Sequence, residues 1–588
     1  MKTTTTIKRT TACCLRHSSN IMPCIIFLII GLVAYTPETC AFASIALRPP
    51  PISLTATVVP PLPPSPVSHQ TAVVVGGGPV GLATALMLSN PPHSMNVTVL
   101  EQSKGETSVA MYDPRKAYLY NINPRGLAWF DGHPDALAKL KHSGSAAVGG
   151  FGNFVVVPAD PSQPIPPPKA ASASGNITTF SAKRPSYWIR RHATIELLQD
   201  CLVEQEMDRQ QLGLSDIGSV TVVAGQRFAG VSVNDSDGSV TVETTDGRHY
   251  AANLVVAADG IDSAVRLYLA SCREQSWLAS RRRSFGVKRY RSPSTGLRIK
   301  SLQFPSNFTV HDSDGSMLKT ESETLYSIKS IHTGPRNFIS MGLLPTKEQH
   351  GIRPTNIITR PNHQVWKLQN ASQVKAWFQA AFPRMDFDSL VDDTEWERFA
   401  AASGTKFPYC QHSKGVAVSS PDGQAGVALV GDSAHAFPPD IGQGINAGLM
   451  DVIALDRALR GDDIVKGNAT GRFPASLGQA LDRYQRNRVP EHRALIRLAR
   501  FGAPYQYNQP WRRDRLGKKM WTANVVFRVA LHKLSRGLIP RTAILMAQDS
   551  KLTFRQVMRR ADSTVLIIKA SLLLSTFWFL ARRLALLA

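Results

Sequence analysis

The chain has 588 residues, with 67 lysines and arginines against 43 aspartates and glutamates, for a formal net charge of +24. At 43% hydrophobic residues it is too apolar for a disordered chain, and it is long enough for a catalytic core of about two domains with extensions. Seven scattered cysteines, none in a CxxC pair, argue against a disulfide framework or a thiol redox centre, and no metal site is expected. The basic runs Arg281-Arg282-Arg283, Lys288-Arg289, Arg512-Arg513, Lys518-Lys519 and Arg559-Arg560 come with no zinc-finger, RNP or basic-helix pattern, so they read as solvated surface or contacts to anionic headgroups, not as a nucleic-acid site.

The N-terminus carries Lys2, Lys8, Arg9 and Arg16 without an acid, then an apolar run from Cys24 to Ala34, then Thr39-Cys40-Ala41. This is a secretory leader pattern over residues 1–41, and the run is shorter than the roughly 20 residues a spanning helix needs. Cleavage after Ala41 exposes Phe42-Ala43-Ser44. Residues 42–70 lack acids and are rich in proline, as in a transit or linker segment. The leader resembles the bipartite leaders of algae with complex plastids, in which an aromatic residue follows the cleavage site; an ordinary secretory leader or a signal anchor fits the same residues.

The folded part is expected to begin near Thr71. Ala72 to Val75 is a β-branched run followed by Gly76-Gly77-Gly78-Pro79-Val80-Gly81, a GxGxxG between a strand and a helix that continues through Leu88. Gly76 permits the tight turn, Gly78 lets a pyrophosphate approach the backbone, and Gly81 lets helix and strand pack closely. The strand Asn96 to Leu100 ends at Glu101, about 20 residues further on, where a carboxylate accepts hydrogen bonds from ribose hydroxyls. Together these predict a dinucleotide site. Gly150-Phe151-Gly152 lacks the third glycine of a second such motif, and Pro158 to Gly175 reads as a surface insertion. Arg191 opens a helical pattern through Leu198, with Arg190 beside it. Leu254 to Ala258 is another strand ending in a carboxylate, Asp259-Gly260, followed by Ser263 and Arg266. Asp259 either fixes this turn through its own hydrogen bonds or meets a ligand.

Between 285 and 405 the short alternating runs around Ile299, Tyr326 and Ile339 predict strands, and Val374 to Phe382 predicts a helix stopped by Pro383. Val427 to Val430 then runs straight into Gly431-Asp432-Ser433-Ala434-His435, with Pro439, Gly442-Gln443-Gly444-Ile445-Asn446 and Asp451 following. A carboxylate at the end of a parallel strand points into the crevice where α/β folds hold ligands, and the glycines expose N–H groups at a helix start, which suits a ribityl chain and a pyrophosphate. Val565 to Ala581 is apolar except for Lys569 and closes on Arg582-Arg583, a membrane-anchor candidate over residues 563–588.

The spacing GDxAHxxxPxxGQGxN resembles the second flavin-contacting motif of the single-component FAD-dependent aromatic hydroxylases. DGxxSxxR resembles their DG motif, and with Asn446-Ala447-Gly448 after GQG the chain looks most like the kynurenine 3-monooxygenases. The resemblance implies an α/β fold: a Rossmann-like FAD-binding domain in two parts (71–284 and 406–500), an inserted mixed-sheet substrate domain (285–405) and a helical C-terminal region (501–562). It implies FAD as cofactor and NAD(P)H as a transient co-substrate without a Rossmann domain of its own. Arg191 and Asp259 would lie at the cofactor, Asp432 and Gly442 within its motif, and Pro439 beside the flavin ring, with the backbone at Gly444, Ile445 and Asn446 donating to the pyrimidine oxygens. The chemistry would be borne by a flavin hydroperoxide formed with dioxygen, without a catalytic side chain, and His435 would act structurally.

The implied function is hydroxylation of an aromatic or conjugated small molecule at a membrane. A dehydrogenase or reductase of the same fold, or a flavin-free carrier like the prenyl-binding escort proteins, are the alternatives. Entry into the secretory route, to a complex plastid among other destinations, follows from the leader; family analogy points instead to the mitochondrial outer membrane. The chain departs from the kynurenine enzymes in substrate residues: Gly152-Asn153-Phe154 stands where they carry an arginine for the substrate carboxylate, Gly502-Ala503 replaces an Asn-Tyr pair, and Met450 replaces an acid. An uncharged, more apolar ring is therefore expected to suit the chain better than kynurenine.

Overall fold

The computed structural model describes residues 70–104, 118–147, 153–170, 184–214, 216–233, 239–271, 285–332, 337–348, 351–461, 476–507 and 512–586. The leader, the linker up to residue 69, Gly150-Phe151-Gly152, Arg281-Arg282-Arg283 and the end of the proline-rich insertion lie outside these. Residues 67–558 form one compact unit, and residues 559–588 belong to another.

The β-branched runs build the centre of a six-stranded sheet. β1 (Thr71–Val75) leads through the glycine turn into α1 (Pro79–Ser89) and pairs in parallel with β2 (Asn96–Glu101). After α2 (Arg191–Leu212) the chain returns as β3 (Leu254–Ala257) on the other side of β1, and β4 (Gly426–Leu429) pairs in parallel with β3. Val220–Ala224 and Ala417–Ser419 form the two edges. Val74, Val99, Val256 and Leu429 are fully buried, because this sheet is covered on both faces, and each such side chain contributes roughly 1.5–3 kcal/mol over exposure. Parallel pairing has a functional consequence: the strand ends bearing Gly76, Glu101, Asp259 and Asp432 all emerge on one edge of the sheet.

A seven-stranded sheet forms the second layer system, in the order Thr405–Lys406, Arg298–Pro305, Ile352–Thr359, Ser340–Leu343, Leu325–Lys329, Asn153–Val157, Lys169–Ala170. It is mixed, since Leu325–Lys329 runs parallel to Asn153–Val157 while its other neighbours are antiparallel. The helix Ala371–Ala381, capped by the Asn370 side chain, packs Phe378 against Phe387, Trp396 and Phe399 beside it. The sequence reading began this domain at residue 285. Two of its strands come from upstream, and the proline-rich segment read as a surface insertion is the connection between them. That pairing joins residues some 170 positions apart, as in Leu325 with Phe154, so no local pattern announces it.

The C-terminal part is helical, with α3 (Gly444–Arg460), α4 (Leu477–Phe501), α5 (Arg512–Leu534) and α6 (Phe554–Ala585). The 32 residues of α6 rise about 48 Å at 1.5 Å per residue. Among the described residues it is the one helix long and apolar enough to cross a membrane, and Leu572, Leu573, Phe577 and Trp578 on it are exposed.

Candidate active site

The three motif glycines are required for different reasons. Gly76 sits at φ +109°, and a Cβ there would lie 2.5 Å from the Ala258 carbonyl oxygen. A Cβ on Gly81 would lie 1.9 Å from the Gly76 oxygen, so α1 is held against the end of β1 by the absence of a side chain. Gly78 is different: a Cβ would meet only Arg191 Nη2, at 4.0 Å. Among the described residues nothing demands a glycine at position 78, which leaves the space above it for a ligand to approach the backbone. Gly78 also caps α1 without a side-chain hydrogen bond, leaving the first N–H groups of that helix available to an anion. Glu101, at the end of β2, accepts from the Gly77 N–H at 2.9 Å and from the Ser103 N–H and hydroxyl at 2.9 and 2.8 Å.

The two later motifs interlock. Arg266 of the DG motif donates from Nη1 to the Ser433 carbonyl and from Nη2 to Ile261 O at 2.7 Å, and Ser433 Oγ donates to Ala257 O at 2.7 Å. Asp259 accepts from the Val265 N–H at 3.2 Å through Oδ2, and burial raises its pKa. Its Oδ1 is buried without a partner among the described residues. One oxygen of Asp259 thus fixes the turn, and the other is left for a donor from outside.

Asp432 is accessible to solvent yet ringed by protein, as at the floor of a cleft; that desolvation raises its pKa, with His435 opposing and Asp451 reinforcing the shift. Arg191 is close by: its guanidinium lies over Gly78 and within electrostatic reach of Tyr118 and Tyr120. The two tyrosine rings meet edge to face at 5.5 Å, and Asp432 acts on both. No motif singled out either tyrosine. Gly442 has φ +59°, and a Cβ on Gly442 or Gly444 would meet no atom within 4 Å. Gln443 caps α3 without a side-chain hydrogen bond, so the N–H groups at the start of α3 are open to an acceptor. The Asn446 side chain is committed to the protein: Nδ2 donates to Asn121 O at 2.8 Å, and Oδ1 accepts from the Asn123 N–H at 3.0 Å. Pro439 is exposed at the mouth of the same loop.

Below the loop lies a buried charge network that sequence reading did not assemble. Asp451 Oδ1 accepts from Arg488 Nε at 2.7 Å and pairs with His492 Nε2 at 2.8 Å, while Oδ2 accepts from the Gly431 N–H at 2.8 Å and pairs with His435 Nε2 at 2.9 Å. Burial alone would raise the Asp451 pKa, but His492, Arg488 and His435 hold it well below the usual carboxylate range. Burial pushes His492 down to about 3. His435, Asp451 and His492 are close enough to share a metal ion, yet the Arg488 guanidinium already takes the cation position on Asp451. The network therefore holds the loop: it ties the turn before Asp432 and the residue His435 to α3 and α4. Asp440, within the loop, accepts from Ser294 Oγ at 2.5 Å through Oδ1; its Oδ2 is buried without a partner among the described residues, and burial raises its pKa to about 7.

An open glycine turn, uncapped starts of α1 and α3, an unpartnered Asp259 oxygen and a carboxylate at the cleft floor all fit a dinucleotide laid across the strand ends. The chain belongs to the FAD binding domain family, whose model matches residues 203–499. It is similar to 3-(3-hydroxy-phenyl)propionate/3-hydroxycinnamic acid hydroxylase 2 of Burkholderia vietnamiensis, at 28% identity over 57% of this chain and 51% of that one. It is also similar to kynurenine 3-monooxygenase of Phaeosphaeria nodorum, at 27% identity over 29% of this chain and 31% of that one. The chain spans about half the length of the first of these curated relatives and less of the second. Among solved structures it is similar to 2-methyl-3-hydroxypyridine-5-carboxylic acid oxygenase, at 15% identity and a TM-score of 0.49, over 79% of this chain and 96% of that one.

Proposed function

We propose that the protein is an FAD-dependent monooxygenase that takes electrons from NAD(P)H and uses dioxygen to hydroxylate an aromatic or conjugated small molecule. The observation that carries this reading is the convergence, at one sheet edge, of the Gly76–Gly81 turn and Glu101 with Asp259, Asp432 and the open start of α3, in a chain of the FAD binding domain family. In this reading Gly76, Gly78, Gly81 and Glu101 hold the adenosine and pyrophosphate side, with Arg191 over the turn. Asp259 and Asp432 accept from hydroxyls of the cofactor, and Gly444, Ile445 and Asn446 present backbone N–H groups to its ring, beside Pro439, with Gly442 making the turn that leads into them. Bound FAD supplies the electron transfer and oxygen activation that amino-acid side chains lack. The protein's part is to bind, orient and exclude water, and the Asp451 network keeps the loop in one position while it does so.

Asn153 is exposed on its strand and Ala503 is half-buried, and neither offers a charge to a substrate carboxylate. The favoured substrate is accordingly an uncharged, apolar ring, with kynurenine a poor one. α6 associates the enzyme with a membrane, and residues 1–41 direct it into the secretory route.

The test is purification of the protein in detergent, release of its flavin by denaturation, and NAD(P)H oxidation across a panel of aromatic substrates with 18O2 and product mass spectrometry. FAD should be released noncovalently, and an apolar phenol should gain one labelled oxygen with tighter coupling than kynurenine. Asp432→Ala, which removes a charge-assisted acceptor of roughly 1.5–3 kcal/mol, should weaken FAD retention by tenfold or more. Substrate-dependent NAD(P)H oxidation without label in the product would establish a reductase instead. A protein that stays colourless after reconstitution with FAD would sink the reading.

A further inference from the structure

A cavity of about 390 Å³ opens between α4 and the strand Val287–Tyr290. That volume lies within the roughly 300–1,000 Å³ typical of ligand pockets. Its walls carry Lys288, Tyr290 and His412 from one side and Arg493, Arg497 and Arg500 from the other, and no lining residue is acidic. The arrangement follows from local geometry. Lys288 and Tyr290 alternate on one face of their strand, where Lys288 pairs with His412 on Cys410–Ser413, and the three arginines recur at helical spacing on one face of α4. Among the described residues Lys288, Arg493 and Arg500 have no carboxylate at ion-pair distance. These three cations around one hollow repel one another, and a multiply charged anion between them turns that repulsion into attraction.

The lining also offers ring surfaces. Arg500 Cζ lies 4.6 Å over the Tyr290 ring and 4.9 Å over the Phe501 ring, Tyr290 stacks near His412 at 6.3 Å, and Phe501 is 58% exposed. On its far edge Cys410–Ser413 pairs with His435–Ala436, immediately before the loop that carries Pro439, so the cavity stands one strand from the proposed flavin site. On its outer side Phe501 O accepts from Trp521 Nε1 of α5 at 3.2 Å, and α5 exposes Leu516, Met520, Phe527 and Leu534 along one stripe.

We propose that this cavity is a phosphate-binding site, separate from the FAD site, with Lys288, Arg493 and Arg500 gripping the phosphate oxygens and Tyr290 and Phe501 flanking the group that bears them. Arginine binds phosphate through paired N–H groups, and lysine adds a point charge. Two sources supply such a phosphate: the nicotinamide dinucleotide, an arm that rests on the NAD(P)H reading above, and a phospholipid headgroup, an arm that rests on the membrane reading.

The test uses the full chain in nonionic detergent, loaded with FAD, and equilibrium dialysis against inorganic phosphate, adenosine 2′,5′-bisphosphate and dioctanoyl phosphatidylglycerol. The expected result is one binding event that competes with inorganic phosphate and weakens about tenfold or more in Lys288→Glu/Arg493→Glu, with most affinity kept in Arg493→Lys. FAD content and the unfolding midpoint of the variants serve as the check on folding, since both residues are exposed. Tighter binding of the adenosine bisphosphate assigns the site to the dinucleotide, and the charge-reversed variant should then raise the KM for NADPH. Tighter binding of the lipid assigns it to the headgroup. Absence of binding by all three at millimolar concentration, or binding that charge reversal leaves unchanged, overturns the proposal. If NADPH is not oxidised at all, the proposed function fails while the dialysis result still decides the phosphate site.

Discussion

A carboxylate shut away from water must either find counter-charges or give up its own charge, and Asp451 and Asp440 take the two courses. Asp451 keeps its charge because the Arg488 guanidinium pairs with it while the Gly431 N–H and two histidine rings hydrogen-bond to it; removing it would leave a buried guanidinium unmatched, a change that costs about 3–5 kcal/mol. Asp440 has one serine hydroxyl and an unpartnered oxygen, so burial raises its pKa to about 7. The unfolded value is about 3.9, so the folded state binds the extra proton and stability falls as pH rises from about 4 to 7. His492 acts with the opposite sign. Its folded pKa near 3 lies below the unfolded value of about 6.5, so its contribution is whole above pH 6.5 and declines, by up to about 1.4 kcal/mol per pH unit, as pH falls toward 3. Asp440→Asn should therefore be more stable than the parent chain at pH 8, by about 2–4 kcal/mol, and the gain should fade by pH 4.5. Urea unfolding at the two pH values checks this, and equal gains at both would show that Asp440 is not held protonated. His492→Asn should lose most relative to the parent at pH 8 and least at pH 4.5.

At the scale of single elements, β1 to β4 and α1 were legible in the sequence because their signal is local: a β-branched run, a glycine turn at fixed spacing, a carboxylate at the strand end. In space Gly76 has a positive φ, Gly78 an open approach and Gly81 a close helix contact. Other features were not legible because they depend on distant partners. Nothing near Asn153 says that it pairs beside Leu325, nothing near Asp451 says that Arg488 and His492 face it from α4, and Lys288 meets Arg493 across some 200 residues. The polar residues Asp451 and His492 within otherwise apolar helix faces were the available hint, since a buried polar group needs a partner. The glycine turn yields a separable pair of outcomes. Gly81→Ala should destabilise the fold, because its Cβ would collide with the Gly76 carbonyl, and lower the thermal midpoint. Gly78→Ala should leave that midpoint within a degree or two and reduce FAD retention by tenfold or more. Equal loss of midpoint in both variants would mean that Gly78 serves the fold and not the cofactor.

For the whole molecule, the surplus of 24 positive charges was read as surface or headgroup contact, and the structure gathers part of it beside exposed apolar residues: Arg512, Arg513, Lys518 and Lys519 accompany Leu516 and Met520 on α5. The proposed membrane association has two physically different terms to draw on. The burial of α6 in hydrocarbon is an apolar term, about 0.8 kcal/mol per methylene, and salt does not screen it. Basic side chains at an anionic surface contribute about 1 kcal/mol each and lose most of that within a Debye length at high ionic strength. The full chain should accordingly stay with membranes through alkaline carbonate and through about 1 M salt. A chain ending at residue 562 should keep its FAD, because the glycine turn, the Asp432 loop and the Asp451 network all lie before the cut, and it should elute in carbonate. Any membrane binding it retains at low salt should vanish as salt rises. Fractionation of the two chains with flavin fluorescence as the readout separates these terms, and carbonate-resistant association of the shortened chain would show that α6 is not the anchor.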